Sequence, residues 1–299
     1  FSIASFFMRT IMDVSVIIVN YNTCELTRAC IDSIYSHTSG VEFEVIVVDN
    51  ASADGSFEVL SQDRRIIFVE SGSNLGFGKA NNLGYKYSSG KYVFLLNSDT
   101  RLLNNALYLF YEEMEKMPNN VACIGSILRA SDGITPNGSY ALFPTITTML
   151  RFFAGYYFRL KFNRNNHIEP PFEVDYITGA DLFIRRHVIE QFGLFDPDFF
   201  MYFEETEMQL RYSRCGYKRL IIPGPEIVHL ECASSRKGNA LSGVRAQMYF
   251  EGMMIYMRKR YSSGKYVLFR LIALLYLPLV FINEKSKNCL LYTSPSPRD

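Results

Sequence analysis

"VFLLNSDT", Val93 to Thr100, decides how this chain is read. Val93-Phe94-Leu95-Leu96 puts bulky apolar side chains at both alternating positions, as a strand buried on two faces requires. The run then stops on Asn97-Ser98-Asp99. An acid directly after such a strand lies at its carboxyl end, the edge where open parallel sheets hold their ligands. Asn, Ser and Asp are also common turn formers at any strand end. This segment alone leaves a turn and a ligand site both open.

The same rhythm repeats outward from it. Val14 to Val19 is a β-branched run and a first strand, and Glu25 to Tyr35 has the apolar spacing of a helix. Glu44 to Val48 is a second strand ending on Asp49-Asn50, Ile66 to Val69 is a third, and Tyr92 to Leu96 is the fourth. Gly78 to Tyr87 and Leu102 to Met117 read as helices, the latter stopped by Pro118. Strands alternating with helices predict an α/β fold with a parallel sheet and right-handed crossovers. From Asp132 to Pro171 the chain is irregular, with Phe152, Phe153, Tyr156 and Tyr157 among Gly, Pro and Asn. That texture suits a substrate-facing insertion or a variable surface excursion. Order returns over Val174 to Arg186, and a helix is expected from about Glu205 to Cys215, ended by Gly216.

Val244 to Arg260 is a helical candidate dense in Met, Tyr and Arg. Val267 to Ile282 is nearly all apolar but contains Arg270 and Pro278, and it falls short of the roughly 20 apolar residues that spanning requires. A helix in the membrane interface and a helix packed on the domain are both open here. Phe1 to Phe7 is too short and uncharged for a signal peptide, and Met8 and Met12 are both plausible starts. Leu291 to Asp299 resembles a sequencing or cloning remnant and is left out of the fold.

Composition narrows the function classes. A hydrophobic content of 48% and a charged content of 20% describe a globular chain with an ample core. A formal net charge of +1 argues against an electrostatic nucleic-acid binder. Cys24, Cys30, Cys123, Cys215, Cys232 and Cys289 form no CxxC pair or metal-ligand cluster, which suits reduced thiols in a reducing compartment. "GSNLGFGKA", Gly72 to Ala80, is not a P-loop, because Ser73 stands in place of the first Gly and Ala80 in place of the Ser or Thr that holds magnesium. Nor is it GxGxxG, since Asn81 occupies the third glycine position. Its glycines permit either a close backbone approach or a plain turn before a helix.

Four polar clusters remain, each just beyond a predicted strand or at a helix start: Asn20-Tyr21-Asn22, Asp49 to Ser52, Asn74 with Asn81-Asn82, and Asn97 to Asp99. In a parallel sheet these ends share one edge. Each alone could be a turn; four in one topological place favour a ligand site.

The ordered set "VSVIIVNYN", "VIVVDNASADGS", "NLGFGKANNLG", "LLNSDT", "GADLFIRR", "FDPDFFMYFEETEMQLR" and "HLECAS" resembles family 2 of the inverting nucleotide-sugar glycosyltransferases, in its rhamnosyltransferase-like branch. It covers roughly Asp13 to Ser235. The resemblance implies a GT-A (Rossmann-like) fold, a mainly parallel sheet flanked by helices, followed by a C-terminal helical segment for which membrane association is open. It divides the chain into an extension over 1–12, the GT-A domain over 13–235, the helical or membrane-associated segment over 236–283, and a disordered or artefactual tail over 284–299.

The resemblance also implies the site. The donor, a dTDP- or UDP-linked sugar, would meet Asn20, Tyr21, Asn22, Asn50, Asn74, Gly76, Gly78, Lys79, Asn82, Asn97 and Ser98, with Asp49 on the pyrimidine base. Asp99 would hold Mg2+ or Mn2+ against the diphosphate, where a divalent ion stabilises the departing negative charge. His229 would be a second ligand, unless it is an ordinary core histidine. Glu205, beside Glu204, would be the general base that takes the acceptor's proton in a single inverting displacement, held ionised by the helix N-terminus. The competing reading makes Glu204, Glu205 and Glu207 simple first-turn acids. Gly179, Ala180 and Asp181 would face the sugar and acceptor. Two positions depart from the family pattern: Asn97 replaces the first acid of DXD, and Glu205 stands where Asp is usual, one methylene longer.

The resemblance implies a metal-dependent inverting transferase acting on a glycan or lipid-linked glycan. It would be cytoplasmic and peripheral to the inner face of a bacterial plasma membrane. A non-catalytic nucleotide-sugar-binding or scaffold protein is the alternative. A sugar nucleotidyltransferase would need a Gly- and Arg-rich pyrophosphate loop after the first strand, which "NYNTCEL" does not provide.

Overall fold

A computed structural model describes residues 12–148, 170–230 and 243–283. In chain order its first elements are β1 (Val14–Asn20), α1 (Cys24–His37), β2 (Phe43–Asp49), α2 (Ser56–Leu60), β3 (Ile66–Glu70), α3 (Phe77–Tyr85) and β4 (Tyr92–Leu96). Next come β5 (Thr100–Leu102), α4 (Ala106–Lys116), β6 (Val121–Gly125), β7 (Tyr140–Ala141), β8 (Phe172–Glu173), β9 (Tyr176–Ile177) and β10 (Asp181–Arg185). The last are α5 (Arg186–Phe192), α6 (Glu204–Arg214), β11 (Lys218–Ile221), β12 (Ile227–His229), α7 (Gly243–Arg260) and α8 (Ser263–Asn283).

Strand β4 has every side chain buried, and its alternation divides them between two cores. Tyr92, Phe94 and Leu96 join Ile31, Ile34, Leu107 and Phe110 from α1 and α4. Val93 and Leu95 join Ala80, Val188, Met208 and Tyr212 from α3, α5 and α6. The sheet is therefore sandwiched between helical layers, the three-layer solution for a sheet apolar on both faces.

The main sheet has eight strands in the order β3-β2-β1-β4-β10-β6-β11-β8. β1 pairs in parallel with β2 and β4, β2 with β3, and β6 with β11. From β1 the chain steps outward to β3, then returns to the far side of β1 for β4. The order reverses there and leaves a crevice at the carboxyl ends of β1 and β4. β10 runs antiparallel between β4 and β6, so its first residue, Asp181, meets Leu96 at that same edge. It is anchored by Phe183, whose ring stacks on Phe110 at 5.6 Å, and by Arg185, which donates to the carbonyls of Val121, Met114 and Met117.

The helix expected from Leu102 begins at Ala106. Thr100 to Leu102 is instead β5, paired with β12 so that Thr100 faces His229 and Leu102 faces Ile227. A strand partner more than a hundred residues away overrides local helical spacing.

α7 and α8 pack through Met253, Tyr256, Met257 and Phe269 onto Phe199, Phe203 and Leu210. Among the described residues no helix is long and apolar enough to cross a membrane. α8 has a packed face, yet Val267, Leu268, Leu271 and Leu274 are exposed. Phe152, Phe153, Tyr156 and Tyr157, the boundary at 235, the first eleven residues and the tail over 284–299 lie outside the described residues.

Candidate active site

The carboxyl ends of β1, β2 and β4 and the turn before α3 form one hydrogen-bonded network. Asn20 is fully buried at the end of β1. Its Nδ2 donates to Asp49 Oδ1 at 2.7 Å and to Ser52 Oγ at 3.0 Å. Its Oδ1 accepts from Thr27 Oγ1 at 2.7 Å and Thr23 Oγ1 at 3.0 Å. An amide can make two bonds at each end, so Asn20 is filled by protein and acts as a brace for Asp49. Asp49 Oδ2 accepts from the Ser52 N–H at 3.1 Å.

Asn50 carries the network onward. Its N–H donates to the Asn20 carbonyl at 2.8 Å. Its Nδ2 donates to Asn74 Oδ1 at 3.0 Å, and its Oδ1 accepts from the Leu75 N–H at 2.9 Å. On the other side Thr23 Oγ1 lies 3.1 Å from Ser98 Oγ, which joins the Asn97 to Asp99 turn. Tyr21 is exposed beside this network, and Asn22 Oδ1 accepts from the Ala53 N–H at 2.7 Å. Asn22 and Ala51 hold left-handed backbones, with φ of 55° and 61°. Strain of this kind persists where the surroundings over-determine it, commonly at functional sites.

Across the β4 edge, Asp99 Oδ1 lies 3.2 Å from His229 Nε2, and Asn97 Nδ2 lies 3.3 Å from the same nitrogen. One imidazole nitrogen can accept from the amide or donate to the carboxylate, not both. A divalent cation held by Asp99 and the imidazole lone pair would relieve that conflict, and the oxygen and nitrogen donors would suit Mn2+. Among the described residues no group of three or more His, Cys, Asp or Glu could hold a metal ion. Asp99 and His229 therefore fit a cation whose remaining ligands come from outside these side chains.

Asn97 N–H donates to the Ala180 carbonyl at 3.1 Å, tying the turn to the start of β10. Ala180 is buried, and Gly179 sits against the Phe77 ring, where a Cβ would lie 3.2 Å from Cε1. Asp181 is fully buried. Its Oδ2 accepts from the Ser126 N–H at 2.8 Å and Oγ at 2.6 Å, while Oδ1 has no partner. Burial pushes its carboxyl up to about 7.

On α3, Lys79 is exposed. Gly78 and Asn82 face the loop before α6. A Cβ on Gly78 would lie 3.2 Å from Phe195 Cβ and 3.5 Å from Glu204 Cβ. Asn82 clamps Phe195, donating to its carbonyl at 2.7 Å and accepting from its N–H at 3.1 Å. Gly76, with φ +79°, abuts the same loop: a Cβ there would lie 2.0 Å from the Phe200 carbonyl oxygen. Gly76→Ala is therefore expected to lose at least about 1–3 kcal/mol from backbone strain alone, read as a lower urea midpoint. Wild-type stability in that variant would refute the contact.

α6 opens on Glu204 and Glu205. Each has an Oε2 that is buried without a hydrogen-bond partner. Burial, with the Glu205 charge beside it, raises the Glu204 carboxyl well above the usual range. Burial also raises Glu205, against the pull of the Glu205 and Thr206 N–H groups. The N–H groups of the helix start do pull the Glu205 carboxyl down, as expected of a helix N-terminus, but loss of solvation outweighs them. A carboxylate raised in this way is a stronger base near neutral pH.

Sequence reasoning singled out no role for Thr23, Thr27 or Ser126, which brace Asn20 and Asp181. Small hydroxyls have no spacing signature, and Ser126 follows a strand that was not anticipated.

The model of the family described as Glycosyl transferase family 2 matches residues 15–192. A low-salt glycan biosynthesis hexosyltransferase of Haloferax volcanii is 32% identical over 206 residues, which is 68% of this chain and 62% of that protein. The chain thus spans less than two thirds of that relative's length. An N-acetylglucosaminyl-diphospho-decaprenol L-rhamnosyltransferase of Mycobacterium tuberculosis is 23% identical over 220 residues, 66% of this chain and 69% of that protein. A mannosyltransferase of Pyrobaculum calidifontis, solved with GDP-Man and Mn2+, superposes with a TM-score of 0.56 at 17% identity. That superposition covers 84% of this chain and 65% of the other, and the two share the GT-A architecture.

Proposed function

This chain belongs to glycosyl transferase family 2, and we propose that it is an inverting transferase moving rhamnose or a similar sugar from a dTDP- or UDP-linked donor to a hydroxyl of a lipid-linked cell-surface glycan. The observation that carries the reading is the single network joining the strand-end clusters at the β1/β4 switch point. The Asp99–His229 pair closes it on one side, and Glu204, with Glu205 next to it in the chain, packs against Gly78 of α3.

Asp49, fixed by Asn20 and Ser52, offers its carboxylate to the pyrimidine N–H. Asp99 and His229 would hold a divalent ion, which would offset the charge gathering on the departing diphosphate. A mannosyltransferase of like fold was solved with Mn2+, which supports a divalent ion as cofactor. Glu205 accepts the proton of the acceptor hydroxyl as its oxygen attacks the anomeric carbon. The bond to the diphosphate breaks on the opposite face, its electron pair leaves with the phosphate, and no covalent intermediate forms.

The test is to incubate the chain with dTDP- and UDP-sugars and Mn2+, measuring nucleotide release, with calorimetric titration of dTDP and UDP in parallel. Binding with release supports the transferase. Binding without release, with every acceptor tried, would favour the non-catalytic alternative, and no binding of either nucleotide would sink the reading.

The acceptor's lipid also gives α8 a role at the inner face of the plasma membrane. Its exposed Val267, Leu268, Leu271 and Leu274 are flanked by exposed Lys265 and Arg270, and the helix has no acidic residue. That pattern suits a helix lying in an anionic interface. The chain is expected to sediment with phosphatidylglycerol vesicles. Changing Val267, Leu271 and Leu274 together to Ser should weaken this at least tenfold, since each apolar side chain buried contributes about 1.5–3 kcal/mol. Equal sedimentation of the triple variant would remove α8 from the membrane.

A further inference from the structure

Glu204 and Glu205 follow a turn that the chain would not hold by itself. Tyr202 and Phe203 both have left-handed backbones, with φ of 70° and 69°. Residues with side chains adopt that region only when packing dictates it. The turn is gripped from the α3 side, where Gly76 abuts the Phe200 carbonyl and the Phe77 N–H donates to that oxygen at 3.0 Å. It is gripped from the other side by α7. A Cβ on Gly252 would lie 2.5 Å from the Tyr202 carbonyl oxygen, 3.1 Å from that of Met201 and 3.2 Å from Phe203 Cδ2. The Tyr249 ring lies 5.0 Å from Phe203 and 5.9 Å from Tyr202, and Tyr256 lies 5.6 Å from Phe203.

Glycine inside an 18-residue helix is unfavourable relative to alanine, so its presence needs a packing reason. Here the reason is contact with the backbone that delivers the acid pair. We propose that α7 is a wall of the active site, and that Gly252 is a positioning residue: its missing side chain lets the helix seat the Met201 to Phe203 turn and so places Glu204 and Glu205. The inference rests on the transferase reading for its catalytic consequence, though not for its mechanics.

The test compares Gly252→Ala and Tyr249→Leu in the full chain, with Gly264→Ala as control, since a Cβ at Gly264 meets nothing within 4 Å. With the donor that the wild type turns over, kcat is expected to fall about 10–100-fold, the effect of a base displaced by an ångström or so. KM for the donor and calorimetric affinity for its nucleotide should stay within about twofold, because the Asp49 and Asp99 side of the crevice is untouched. Gly264→Ala should match the wild type. Wild-type kcat in both variants, or a loss of kcat matched by equal loss of nucleotide affinity, would reduce α7 to ordinary packing.

Hydrogen exchange of the Phe203 to Met208 amides reads the clamp with no substrate present. Faster exchange there in Gly252→Ala is expected, and unchanged exchange overturns the proposal. If the wild type releases no nucleotide from any donor, the transferase reading fails, and the exchange result still decides the clamp.

Discussion

Replacing Asp99 by alanine is expected to abolish metal-dependent nucleotide binding and to cut transfer by more than ~100-fold. Outer-shell changes around a metal typically cost 10–100-fold, and Asp99 is proposed as a direct ligand. Its Oδ1 sits 3.2 Å from His229 Nε2 where both side chains are about 15% exposed, and among the described residues no group of three or more His, Cys, Asp or Glu could hold the ion instead. His229→Ala should cost less than Asp99→Ala, because a metal-bound imidazole brings no negative charge to the ion. Calorimetry with dTDP and UDP, run with Mn2+ and then with EDTA, separates the two variants. An Asp99→Ala protein that still binds nucleotide more tightly with Mn2+ than with EDTA would place the ion elsewhere. Asn97→Asp, which restores the missing acid beside His229, should tighten the ion if Asp99 and His229 hold it.

Glu205→Gln is expected to lower turnover by about 10²–10⁴-fold, the range for removing a general base, while leaving nucleotide affinity unchanged. Glu204→Gln should be mild. Burial beside the Glu205 charge keeps Glu204 protonated well above the ordinary range, and glutamine resembles a neutral carboxylic acid in shape. Reversal of the two phenotypes would exchange the roles of the residues. The pH dependence follows with its sign. The base must be ionised to accept a proton, and burial raises Glu205, so activity should fall as the pH is lowered through that raised value. The acid limb should therefore lie above the ordinary glutamate value of about 4.3. An acid limb at or below the ordinary value would mean that the reacting base is not this carboxyl.

Much of this site was legible before folding. β1 to β4 were read within a residue or so, because β-branched and bulky runs buried on both faces leave little else for the chain to do. The strand-end clusters followed from those strands by topology alone. What stayed hidden was the direction of each polar side chain. Asn20 and Asn82 were expected against the donor; Asn20 instead braces Asp49, and Asn82 clamps Phe195. An asparagine that holds a loop and one that holds a ligand look alike in a sequence, since both need only an amide near a strand end.

By itself, then, the sequence determined the alternation of strands and helices, and the polar clusters and acids that lie at the strand ends. These depend on local periodicity and on the short reach of a strand end. Tertiary structure alone decided that β10 enters antiparallel and buries Asp181. It also decided that β12 returns to β5 and sets His229 beside Asp99, and that α7 closes on the turn before Glu204. Each of these is a contact between segments far apart in the chain. Their energy lies in pairing and packing that exist only once both partners are in place, and no window of neighbouring residues contains them.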